Sequence, residues 1–100
     1  MTATGLMGPS QAYDKARKLY RLMRKGDGWS VLCWRPGLGS WERLQAILPR
    51  SQAVQERAGL VTAHALVLLG ISQAQVASLL RRHYTGPARK RVAAAYRDER

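Results

Sequence analysis

Phenylalanine and asparagine are absent from these 100 residues, cysteine occurs once, and only six residues are acidic. Each shortage excludes something. A single cysteine, Cys33, cannot form an intramolecular disulfide, and with only His64 and His83 to join it no zinc set can be assembled, so no metal or other cofactor is expected. No base stands near Cys33 in sequence, and a lone cysteine is ordinarily a small buried hydrophobe. There are no paired carboxylates suited to acid–base catalysis and no glycine-rich phosphate loop, so the chain is not expected to be an enzyme. The longest apolar stretch, Ala58 to Ile71, contains His64 and falls short of the ~20 residues that span a bilayer. Residues 1–10 lack the charged start and apolar run of a secretory signal. The expectation is a soluble, cytoplasmic, single-domain chain with one modest core.

What is abundant is positive charge. Thirteen arginines and four lysines against six carboxylates leave a formal charge of +11. Such a balance seeks a polyanion: DNA, RNA or an acidic surface. Fourteen alanines beside the arginines indicate GC-rich coding, which itself favours arginine, so the charge has to be read by position as well as by sum.

Residues 1–9 read as a flexible tail. From Ser10 to Lys25 the spacing is helical, with Ser10 as cap and Ala12, Ala16, Leu19, Tyr20 and Met23 on one face. The opposite face carries Lys15, Arg17, Lys18, Arg21, Arg24 and Lys25. It reads either as a solvated exterior or as a surface for phosphates or an acidic protein partner. Gly26-Asp27-Gly28 ends that helix. Trp29 to Arg35 suits a short strand, with Trp29, Val31 and Cys33 on one side and Leu32 and Trp34 on the other. Pro36-Gly37 suits a type II turn. Without phenylalanine, Trp29, Trp34 and Trp41 are expected to supply core bulk, the rival reading being a platform on which single-stranded bases stack. A short helix from Trp41 to Leu48, capped by Ser40, would bury Trp41, Leu44, Ile47 and Leu48. From Ser51 onward either one helix or two, broken at Gly59, is allowed. The apolar run from Leu60 to Leu69 marks a central buried helix, with His64 packed in it rather than ligating.

Gly70-Ile71-Ser72 then separates two helical runs. Glycine can take the left-handed conformation that ends the first, Ile71 can drop into the core, and Ser72 can cap the second. This stretch resembles the helix-turn-helix family of bacterial and phage DNA-binding proteins: Gly70, Ile71, Val76 and Leu79 fit its turn and second helix, and Ala65 and Leu69 its first. Leu66 departs from the small residue usual there. The resemblance covers roughly the last forty residues. It implies a helix-turn-helix at 62–82 and a supporting helix at 87–97, and together with the pattern of the first half the expected fold is mostly α, about five helices, with a short extended segment at 29–41. It also implies base contacts from Gln73, Ala74, Ser78 and Arg81, and phosphate contacts from Ser72, Arg82, Arg89, Lys90 and Arg91. A second alignment of the same family makes residues 88–97 the groove-entering helix, and both stay open.

The function expected from that resemblance is sequence-specific binding of double-stranded DNA as a small transcriptional regulator, repressor-like and phage-borne, associated with the nucleoid. Two other classes compete: an architectural or recombination accessory protein, and an inhibitor that applies its basic first helix to an acidic protein. No coiled-coil heptad is present, so a homodimer would have to use a packed patch such as the tryptophans.

Overall fold

The computed structural model describes residues 7–43, 47–83, 91–93, 95 and 96, and all their side chains except those of Arg82 and His83. In chain order the elements are α1 (Pro9–Lys18), β1 (Tyr20–Lys25), β2 (Gly28–Arg35), β3 (Ser40–Arg43), α2 (Arg50–Leu68) and α3 (Gln73–His83), and the described residues from 91 to 96 are also helical. The expectation of a mostly α, five-helix domain is therefore wrong. This is an α+β fold, with β1, β2 and β3 forming an antiparallel sheet in that order. Among the described residues no helix is long and apolar enough to cross a membrane.

Parts of two expected helices are strands. The first helix starts at Pro9, with Ser10 already inside it, and stops at Leu19. Beyond it Tyr20 pairs with Cys33 and Leu22 with Val31, so alternate apolar residues face one side. Cross-strand burial here outweighs a helical spacing that the same residues also satisfy. Gly26 and Asp27 form the two-residue hairpin loop, with Gly26 at φ 59°, the positive value that this kind of turn needs at its first position. Of the expected helix from Trp41 to Leu48, Trp41 to Arg43 belong to β3, with Trp41 opposite Trp34 and Glu42 opposite Cys33, and Leu44 lies outside the described residues. Leu48 returns to pair with Trp29, and Ile47 is exposed rather than buried. The turn between β2 and β3 is not type II, because its positive φ falls on Gly39 and not on Gly37.

Among the described elements α1 and α2 pack on one face of the sheet, and α3 packs on α2. Ala12 and Ala16, one turn apart, let α1 lie close against α2, and Tyr20, Val31 and Cys33 meet Leu60, Val61 and Ala63. The core continues through Val76 and Leu80 of α3 to Val92 and Tyr96. Arg57 of α2 ties the helix layer to the sheet: its Nε donates to the Tyr20 carbonyl and its Nη2 to that of Arg17, both at 3.0 Å. Inside the core the Tyr20 hydroxyl and His64 Nδ1 share a hydrogen bond of 2.8 Å. His64 is thus a packed residue, and α2 runs unbroken through Gly59.

The turn after α2 follows its chemistry. Gly70 has φ 84°, its N–H reaches the Val67 carbonyl, and the Ile71 N–H reaches that of Leu66. These are the two closing bonds of a Schellman motif. Ser72 Oγ accepts the Gln75 N–H and donates to Gln75 Oε1, which caps α3. Ile71, however, is exposed rather than dropped between the helices. A Cβ at Gly70 would touch nothing, so Gly70→Ala should cost only the backbone term, about 1–2 kcal/mol, read as a lower midpoint in urea unfolding.

Candidate nucleic-acid interface

The residues expected to read bases lie on α3. Ala74 and Arg81 are exposed and close to one line along the helix, with exposed Gln73 flanking them and Ser78 half-buried between. The Ser72 hydroxyl is already engaged as a cap. Arg82 lies within α3 but its side chain is outside the described part, as are Arg89 and Lys90 entirely. The packing partners expected for the last helix are buried where described, at Val92, Ala95 and Tyr96.

Arg91, expected to contact phosphate, is buried in the core. It is 5% exposed, its Nε donates to Cys33 Sγ at 2.9 Å, and its guanidinium stands 5.9 Å from the centre of the Tyr20 ring. Arg89, Lys90 and Arg91 in a row suit a cluster of phosphate contacts. A helix nevertheless turns one residue in three or four inward, and here that residue is Arg91.

Burial raises the Cys33 thiol above its ordinary value of 9.0, and the hydrogen bond from Arg91 opposes this only in part. The folded state therefore holds the thiol proton more tightly than the unfolded chain does. The associated stability is complete below pH 9.0 and is lost as pH rises through the higher folded value. Cys33 should accordingly resist a thiol reagent such as Ellman's at neutral pH, and react at the rate of unfolding once denaturant is added.

The basic face expected on the first helix is divided between two elements. Lys15, Arg17 and Lys18 are exposed on the last turn of α1, with Arg17 holding Asp14 at 3.4 Å. Arg21, Arg24 and Lys25 are exposed on β1, an edge strand of the sheet. The cations therefore form a strip that runs from a helix end down a strand, rather than one helical face.

The sheet face turned away from the helices is the feature that sequence reasoning weighed least. The strand pairing places Arg21, Met23 and Lys25 of β1 on it, with Ser30, Leu32 and Trp34 of β2 and Trp41 and Arg43 of β3. Trp34 and Trp41 meet edge to face, their ring centres 5.5 Å apart, and the Arg21 guanidinium lies 4.3 Å over the Trp41 ring. Arg21 thus crosses over β2, and Leu32 beneath is buried without belonging to the main core. Of the three tryptophans only Trp29 packs against that core, so the core reading fails for Trp34 and Trp41. The carboxylate of β3, Glu42, stands on the other face and is drawn to Arg35 at 3.4 Å.

Comparison with protein-family models, with curated proteins and with solved structures gives no match to this chain. The site therefore rests on its own geometry. Among the described residues no group of histidine, cysteine and carboxylates could hold a metal ion. The signal for the open sheet face was present in the sequence: alternation from Tyr20 to Leu22, then a Gly-Asp-Gly turn, then alternation from Trp29 to Trp34.

Proposed function

We propose that this protein binds double-stranded DNA and acts on it as a small sequence-specific regulator within the nucleoid. The observation that carries this reading is the strip of six exposed cations from Lys15 to Lys25, within which no carboxylate occurs. Duplex DNA rewards such a strip, because each neutralised phosphate releases a condensed counterion. Specificity is assigned to α3, where exposed Gln73 suits adenine and exposed Arg81 suits guanine. The reading does not depend on a mostly α, five-helix domain, since α2, the Gly70 turn and α3 stand beside a sheet.

The test is a titration of labelled duplex DNA over a range of salt. With about five phosphates neutralised, log affinity should fall against log salt with a slope of roughly −4 to −5. A flat response removes the proposal. Selection from random duplexes then separates the two DNA roles: an enriched site supports the regulator, and undiminished binding without enrichment supports the accessory protein.

A further inference from the structure

Trp34 and Trp41 lie on the sheet face opposite the one that α1 and α2 pack on, and both rings remain half-exposed although Ser30 and Leu32 of the same face are buried. The pair helps to hold the short β3 against β2, as cross-strand aromatic pairs do. That structural role accounts for one ring against the other. It does not account for the cations arranged around them.

We infer that this face binds single-stranded nucleic acid, stacking unpaired bases on the Trp34–Trp41 pair while Arg21, Lys25 and Arg43 meet the phosphates. Three observations on the face select that occupant. The first is the aromatic pair itself, because every base offers a π-face and stacking tolerates any sequence. The second is Arg21, whose planar guanidinium on Trp41 extends the stacking surface and is held in place before any ligand arrives. The third is charge: Arg21 and Arg43 flank Leu32 across three strands, about 10 Å apart, and no described carboxylate stands on this side. A protein partner with an apolar patch would not need the cations, and a duplex, whose bases are already stacked, would not need the tryptophans.

This site goes beyond the duplex-binding reading: it shares Arg21 and Lys25 with the cation strip, and the tryptophan pair is its own. It uses the sheet, whereas α3 packs on α2 and makes no comparable contact with any strand. The ligand class is any unpaired stretch of DNA or RNA, such as a melted or looped segment.

The experiment compares three probes on the full chain: a thymidine oligonucleotide of roughly 12 nucleotides, an abasic strand of the same length, and a duplex. The thymidine strand should bind more tightly than the abasic strand by roughly 5- to 100-fold per stacked base, and should quench tryptophan fluorescence when it does. Trp34→Leu should remove that advantage while leaving abasic and duplex binding as they were, and Trp34→Phe should restore part of it. Equal affinity of the native protein for the thymidine and abasic strands overturns the proposal, and that comparison needs no substitution to fold. Persistence of the advantage in a folded Trp34→Leu variant overturns it as well. Loss of duplex binding alone would remove the regulator reading and leave this one intact.

Discussion

Arg91→Ala is expected to destabilise the fold by about 3–5 kcal/mol, a large share of what a domain of this size possesses. The guanidinium is enclosed, bonded to the Cys33 sulfur and set against the Tyr20 ring, so its removal leaves a cavity and strips a buried cluster of its cation. Arg91→Met, which keeps the length of the side chain without its charge, should recover part of the loss. Equilibrium unfolding in urea measures both. A surface phosphate ligand would behave in the opposite way: alanine would leave the midpoint unchanged and weaken DNA binding at every sequence. Unaltered stability in Arg91→Ala would mean that the buried contact contributes nothing to the fold.

The second large effect is expected from replacing Lys15, Lys18 and Arg24 together with alanine. All three are exposed, and none belongs to the aromatic–cation contact on the open face, so the fold and that face should survive. If each contacts one phosphate, the salt slope should become shallower by about 3, and affinity at physiological salt should drop by about two orders of magnitude, alike for specific and random duplexes. Gln73→Ala should do the reverse, lowering the ratio of specific to random affinity with little change in slope. A triple variant that keeps its slope would show that the strip is merely solvated.

How much of this could be read from the chain depended on how local the deciding contact is. The strand from Gly28 to Arg35 was legible because alternation alone separates Val31 and Cys33 from Leu32 and Trp34. The turn at Gly70 was legible because glycine, then a serine three residues before Gln75, states its own backbone chemistry. Tyr20 to Lys25 was not. Leu19, Tyr20 and Met23 suit a helix, Tyr20 and Leu22 suit a strand, and the choice is made by pairing with Val31 and Cys33. Trp41, Leu44, Ile47 and Leu48 repeat the problem, with Trp34 as the distant partner that decides it. The burial of Arg91 was beyond reach for the same reason, since its sulfur acceptor is 58 residues away. Gln73, Ala74 and Arg81 of α3 are exposed where local spacing put them, whereas the open sheet face exists only through strand pairing.

The sheet also has two unprotected margins, and the chain treats them differently. On one side β3 has only four residues and offers little for another strand to join. On the other, β1 is six residues long, and its backbone would be an inviting template were it plain. Arg57 occupies the Tyr20 carbonyl at one end, and Arg21, Arg24 and Lys25 line the remainder. Two copies approaching margin to margin would bring six like charges together. The cations proposed to grip a polyanion thereby also keep the protein from growing into a continuous sheet with itself, and variants that lose them should be watched for fibrous self-association as concentration rises.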